Sequence, residues 1–188
     1  MSDRVRDTET GYDPTAEATG RYIIAFIDAA GEVSPVFAQK VERIFEAKIG
    51  DVSAEEYYRH DKVKEGFEAV LVEVGPKTMT EGGIATAKEL PFPDDTTIQE
   101  ALEMLRDEHS VGNSYRNTDS DRPAGQYTFD LSGTAGHFGA TNGYPYTKPY
   151  VKGIYQGIIE KYGPRRARPE FTETTPKPNE KFAWHVEW

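Results

Sequence analysis

The chain has 188 residues, 32 acidic against 22 basic for a formal charge of −10, and no cysteine. That length reads as one domain, and roughly 70% of the extended chain's surface is buried when a chain of this mass folds, so a sizeable core forms without staples. Disulfides, thiolate metal sites, Fe–S clusters and a cysteine nucleophile are excluded, and the negative charge argues against a general affinity for nucleic-acid phosphates.

The first 19 residues hold Ser, Asp, Thr, Glu and Gly with almost no apolar residue, and read as a flexible acidic tail ahead of a single domain over 20–188. Next, Tyr22, Ile23, Phe26, Ile27 and Ala30 recur at helical spacing, although periodicity alone does not separate this run from a short buried strand. Ser34-Pro35 is an N-cap followed by proline at the first helical position. Behind it Phe37, Val41, Ile44 and Phe45 form an apolar stripe stopped by Gly50, so a helical hairpin is predicted. In 61–74 the residues Val63, Phe67, Val70, Leu71 and Val74 lie on one helical face, and Gly75-Pro76 ends it. Thr78 is placed to cap a short helix to about Lys88, weakened by Gly82-Gly83. Leu90-Pro-Phe-Pro93 reads as an extended connector. Thr97 with Glu100 makes a capping box for a helix that carries Ile98, Ala101, Leu102 and Leu105 and runs to about His109.

After Ser110 the period changes. Residues 112–125 read as a polar loop. Tyr127, Phe129 and Leu131 then alternate with polar residues as a half-buried strand, turned by Ser132-Gly133-Thr134 into a partner over 135–141 that ends at Asn142-Gly143. A helix is predicted from Pro149 to Tyr162, with Val151, Ile154, Tyr155, Ile158 and Ile159 inward and Gly163-Pro164 as stop. Phe182, Trp184, Val186 and Trp188 alternate with Ala183, His185 and Glu187 in a last strand, paired with 166–174. The fold class is therefore α+β: N-terminal helices on one face of a roughly four-stranded antiparallel sheet, with a long helix between two hairpins.

Residues that carry chemistry are few. The four histidines form no metal-ligand spacing. His185 falls on the polar face of the last strand, His109 ends a helix where a cation is favoured, and His137 lies in the hairpin, within reach of a cleft. The glycines at 133, 136, 139 and 143 lack the strand–turn–helix setting of a dinucleotide fingerprint, and there is no Walker sequence or nucleophile elbow. Asp94-Asp95 and Asp119-x-Asp121 follow no calcium-loop pattern. Arg165-Arg166-x-Arg168 is the one basic cluster, explained by strand-edge charge as well as by an anionic partner. Tyr144, Tyr146, Tyr150, Tyr155 and Tyr162 cluster around the long helix, a composition suited to packing, a ligand pocket or a subunit interface.

Taken in order, Val74-Gly-Pro-Lys-Thr-Met79, Leu90-Pro-Phe-Pro93, Ile98-Gln-Glu-Ala-Leu102, Gly125-Gln-Tyr-Thr-Phe129, Asn142-Gly-Tyr-Pro145 and Gly153-Ile-Tyr-Gln-Gly157 resemble the methanogen output domain of archaeal and bacterial regulators. That domain is a relative of the 4-vinyl reductase domain and more distantly of the haem nitric-oxide-binding domain. The resemblance spans about 37–188 and implies an α+β ligand-binding or signal-relay module, often dimeric. Relatives carry cysteines near the Asn142 loop; Tyr146 stands in that region here, so no thiolate metal site is implied. The Tyr-x-Ser-x-Arg signature of the haem branch is missing, so haem is not implied, and no cofactor is assigned.

The leading expectation is a small-molecule-binding sensor domain without assigned catalysis. Its pocket is placed between sheet and helices, lined by Phe129, Phe138, Tyr144, Tyr146 and Trp184, with His109 and Arg116 as polar contacts for a small hydrophobic or aromatic ligand. The alternatives are a dimerisation or protein-interaction module using the Tyr-rich face, with a homodimer expected, and an enzyme with His109 or His137 as general acid/base. The longest apolar run, Tyr22–Ile27, is too short to span a bilayer and follows the wrong flank for a secretory signal. A cytoplasmic protein without membrane or nucleic-acid partners is therefore expected, its acidity suiting a high-salt habitat as well as an ordinary one.

Overall fold

Proline, glycine and capping residues divide the chain where its periodicity changes. The computed structural model describes residues 16–106, 115–116, 125–142, 144–165 and 167–188. Helix α1 (Gly20–Val33) starts at Thr19, whose side chain accepts from the Arg21 amide, which decides between helix and strand for this run. Helix α2 (Pro35–Ile49) has Pro35 in its first turn, Ser34 Oγ accepting from Phe37 N at 3.1 Å, and Gly50 at φ 80° as its stop. Helix α3 (His60–Glu89) is two helical halves, broken at Gly75 (φ 79°, ψ 167°). That left-handed conformation suits glycine, and Pro76, which cannot donate to the preceding turn, opens the second half in place of the expected Thr78. Helix α4 (Ile98–Arg106) carries the reciprocal capping box: Thr97 N donates to Glu100 Oε2 at 2.9 Å and Glu100 N to Thr97 Oγ1 at 3.2 Å. Helix α5 spans Lys148–Tyr162.

The strands make two sheets. Strands β4 (Tyr127–Ser132), β5 (Ala135–Thr141), β6 (Glu170–Thr174) and β7 (Glu180–Glu187) form the expected antiparallel sheet, in order β4-β5-β7-β6. Its register places Phe129 opposite Phe138 and Phe138 opposite Trp184, one row of the face that meets α5. A small second sheet, β2-β1-β3, has no counterpart among the expected elements. It joins β1 (Glu17–Thr19), β2 (Tyr57–Arg59) and β3 (Tyr115–Arg116).

Two expectations change with that sheet. Residues 17–19 do not belong to a tail, because Ala16 and Ala18 are buried and β1 pairs on both edges; residues 1–15 lie outside the described residues. The loop predicted over 112–125 contains β3. Short strands of two or three residues leave no alternation to read, which is why periodicity missed them.

The two halves of the fold are joined where α3 crosses α5. A side chain on Gly83 would strike the Tyr150 carbonyl oxygen, and one on Gly153 the Thr80 carbonyl oxygen. The helix backbones therefore touch, and the glycines that weakened the helix prediction are required there. The Thr80 hydroxyl spans the same crossing, 3.1 Å from the Pro149 carbonyl, and Lys161 Nζ donates to the Lys88 carbonyl at 2.7 Å across the far end. Gly83→Ala or Gly153→Ala forces the helices apart and should destabilise the protein by about 2 kcal/mol or more, against several tenths in the other direction for Gly→Ala on a free helix. Urea unfolding of each variant measures this, and an unchanged midpoint would show that the crossing is not close-packed in solution.

Candidate functional site

A continuous column of rings runs from the helical layer to the sheet. Phe26 of α1 stacks on Phe67 of α3 at 4.9 Å, and Phe67 meets Tyr146 edge-on at 4.7 Å. Tyr146 meets Tyr144 at 4.9 Å, and Tyr144 meets Tyr127 of β4 at 4.9 Å. Tyr127 then meets Tyr155 of α5 at 5.3 Å, and Tyr155 meets Phe138 of β5 at 4.9 Å. These spacings are direct aromatic contact, each worth about 0.5–1.5 kcal/mol beyond area burial. The Tyr155 hydroxyl lies 2.7 Å from the Gly139 carbonyl and 2.9 Å from that of Thr128, and burial raises its pKa well above the ordinary phenol value.

The loop before α5 is pinned from the sheet. Lys181 Nζ donates to the carbonyls of Tyr144 at 2.8 Å and Tyr146 at 3.1 Å. Burial lowers the Lys181 pKa to about 8, with Lys64 adding to the effect and Glu68 opposing it. Thr147, next in the chain, is buried at the head of α5, its hydroxyl without a hydrogen-bond partner among the described residues.

The residues expected to line one pocket are not all brought together. Phe138, Tyr144 and Tyr146 are buried members of the column. Phe129 is the half-buried register partner of Phe138, with the Arg106 guanidinium 4.7 Å over its ring. Trp184 turns toward the other edge of the sheet, meeting Phe171 of β6 at 6.0 Å and Phe182 at 5.2 Å. Arg116 belongs to β3 in the small sheet, paired with Glu17, rather than to the face of the four-stranded sheet. His109 lies outside the described residues.

His137 does not enter a cleft on the helix side. Strand alternation puts it on the outer face, opposite His185, and its Nε2 is 2.8 Å from Glu180 Oε2. Glu180, its side chain only 3% exposed, also accepts from Thr128 Oγ1 at 2.5 Å and from the Lys177 amide at 2.7 Å. Sequence reasoning missed Glu180, whose position at the end of a turn carries no periodic signal. It also missed Phe26 and Phe67 as members of the column, since a helical stripe does not say which partner it meets. Among the described residues no three His, Asp or Glu side chains come together as metal ligands, and no helix is long and apolar enough to cross a membrane.

No protein-family model matches the sequence, and no curated protein does. Solved structures do match in fold. A protein described as modulating haem redox potential through porphyrin distortion is 14% identical, with 90% of this chain and 99% of that chain covered at a TM-score of 0.61. A mutant of the T. tengcongensis H-NOX is 12% identical, with 90% and 96% covered at 0.63. An oxygen-binding H-NOX domain related to soluble guanylate cyclases is 13% identical, with 89% and 92% covered at 0.60. The chain therefore has the H-NOX fold.

This corrects the family resemblance read from the sequence, since the structural neighbours are H-NOX domains and not 4-vinyl reductase-like ones. The motifs that carried the resemblance mark local structure. Gly75-Pro76 is a helix break, Leu90–Pro93 lies between helices and Asn142 follows β5. Such punctuation recurs wherever helices and hairpins are joined in this order.

The outer-face network gives the domain an acid-sensitive joint. Burial, the largest single influence on Glu180, pushes its pKa up, but the hydrogen bonds from Thr128, the Lys177 amide and His137 together outweigh it and hold the carboxyl below its ordinary value. A depressed carboxylate pKa contributes stability that is present above the unfolded-state value and lost as pH falls through the folded one. Glu180→Gln should thus cost about 1.5–3 kcal/mol at neutral pH, a deficit that shrinks as pH is lowered beneath the usual Glu range. Chemical denaturation across that range tests it; a deficit independent of pH would rule the charged network out.

Proposed function

We propose that this chain is a small-molecule-binding sensor domain without a catalytic step of its own. The observation that carries the reading is architectural: nine-tenths of the chain follows the fold of H-NOX domains, one of them described as an oxygen-binding domain related to soluble guanylate cyclases. A cytoplasmic setting and a ligand with a hydrophobic or aromatic body belong to the same reading. The cysteine-free composition supports the first, and the aromatic and apolar lining of a groove beside α5, with Phe171, Trp184 and Ile84, supports the second.

Haem is the group those neighbours bring to mind, and the described residues do not fit it. A porphyrin lying along the column needs two surfaces held apart by its own thickness. Phe26, Phe67, Tyr146, Tyr144 and Tyr127 instead meet one another successively at 4.7–4.9 Å, one stacked contact followed by three edge-to-face. His137 and His185 lie on the outer face of the sheet, and His60 is buried at the foot of α3, its amide bonded to Ala16 beside β1. No step is therefore derived through haem.

The competing readings lose the residues they depend on. Tyr144 and Tyr146, the expected interaction surface, are 1% and 6% exposed and packed inward, which leaves the expected homodimer without its face. His137, one of the two candidate acid–base residues, is held by Glu180 away from the helices.

Native mass spectra before and after denaturation test the proposal. The expected result is a reproducible additional mass that denaturation releases, and added haemin should give no stoichiometric complex with a shifted Soret band. A clean mass from every preparation, with thermal stability unmoved by a panel of small aromatic and apolar molecules, would overturn the sensor reading. A stoichiometric haemin complex would overturn the packing argument against haem.

A further inference from the structure

The second half of α3, the first half of α5 and the strands β6 and β7 border an open groove of about 560 Å³ that none of the expected site residues except Trp184 touches. That volume lies within the range of small-molecule sites, about 300–1,000 Å³. Its apolar surface comes from Pro76, Pro149, Ile84, Phe171 and Trp184. Its charge comes from three lysines, Lys77, Lys148 and Lys152, against Glu81 and Glu173, a local excess of one positive charge on a chain of net charge −10.

The lysines are arranged over the aromatic floor. Lys148 Nζ stands 5.9 Å from the centroid of Trp184, and Lys152 Nζ stands 5.3 Å from that of Phe171. Trp184 and Phe171 meet edge to face at 87°. Glu173 already shows how an anion sits there, its carboxylate 2.7 Å from Lys148 Nζ while its own side chain is 74% exposed. An exposed carboxylate is readily displaced because an exposed ion pair contributes only about 0–1 kcal/mol.

We propose that this groove binds a small aromatic carboxylate, its ring against Phe171 and the proline–isoleucine wall and its carboxylate on Lys148 and Lys152 in place of Glu173. The inference deepens the sensor reading by naming the ligand class and the place. Lys148 and Lys152 stand one turn apart on α5, so a ligand carboxylate between them would accept from both, whereas Glu173 hydrogen-bonds Lys148 and feels Lys152 only as a nearby charge. An apolar wall without a polar group would take a neutral hydrocarbon, and lysines without the wall would take any anion; the two together select a molecule that has both parts. A ligand in this place touches α3 just beyond its break at Gly75 and touches both edges of the β6–β7 hairpin's inner face, so it couples the helical layer to the sheet.

The test is calorimetric titration of the full chain with 2-naphthoate, with 2-naphthamide as the neutral isostere. Expected is saturable one-site binding of the carboxylate, weaker binding of the amide, and a loss of affinity at high salt. The double variant Lys148→Gln/Lys152→Gln should weaken the carboxylate by about tenfold or more, the range for hydrogen bonds to charged groups, while Lys62→Gln, outside the groove, leaves it unchanged. Equal affinity of the amide, equal affinity of the double variant, or no saturable binding would each overturn the proposal. A naturally carried mass that 2-naphthoate fails to displace, alongside a failed titration, removes the groove and leaves the sensor reading. A clean native mass with the titration intact removes support for a resident ligand and leaves the groove.

Discussion

The contact between the backbones of α3 and α5 is the constraint on which the rest of the structure depends. At Gly83 and Gly153 each helix occupies the space in which the other's Cβ would lie. Farther along, a Cβ on Gly157 would lie 2.6 Å from that of Ala87. Approach this close fixes both distance and rotation, so residues flanking the crossing have little choice of partner. Tyr150, one turn from Gly153, is brought against Phe26 at 4.9 Å and onto Thr86 through its hydroxyl. Tyr155, two residues on, faces the sheet and satisfies its hydroxyl on two strand carbonyls. A pair of larger residues at the crossing would separate the layers, and both tyrosines would lose their partners.

Much of this architecture was legible in the sequence because it rests on local chemistry. Ser34-Pro35, the Thr97–Glu100 box, Gly75-Pro76 and the alternation of 181–188 each state a backbone conformation by themselves. What was illegible is what depends on two distant segments meeting. Gly82-Gly83 read as a defect because helix propensity is a property of one helix, whereas the requirement for glycine is set by the distant Gly153. The β2-β1-β3 sheet escaped because its strands are two or three residues long and take their stability from one another. Sequence alone does not settle the expected pocket for a related reason: Phe138, Tyr144, Tyr146 and Trp184 share an inward face, but sequence does not distinguish side chains that surround a space from side chains that fill it.

That distinction bears on function. In the described residues the seam between helices and sheet is occupied by protein rings in contact, each supplying to its neighbour the dispersion and quadrupole interactions that a bound aromatic group would supply. Tyr155 suits this role better than a phenylalanine, because its hydroxyl reaches two strand carbonyls and so fixes the orientation of its ring. A column of this kind is a rigid connection between the layers. It transmits a displacement of one layer to the other, since close-packed side chains move together or exchange between discrete arrangements.

On the proposed sensor reading, a filled interior leaves the ligand to a boundary between parts of the fold, and the groove beside the break in α3 is one. Gly75 interrupts the helical hydrogen-bond ladder, and Pro76 has no amide to mend it, so the break is fixed by these two residues. Both halves pack on α1 and α2, the first through Phe67 and the contact of Phe45 with Gly66, the second where Gly82 lies against Phe26 and Phe37. The second half is locked to α5 at the glycine crossing and carries one wall of the lysine–aromatic groove. A ligand bound beside such a break would favour whichever arrangement it contacts best, by the difference in contact free energy between them. The aromatic column links Phe26 of α1 through Phe67 of α3 and Tyr155 of α5 to Phe138 of the sheet, so a change that a ligand made among the helices would meet the sheet through rings already in contact.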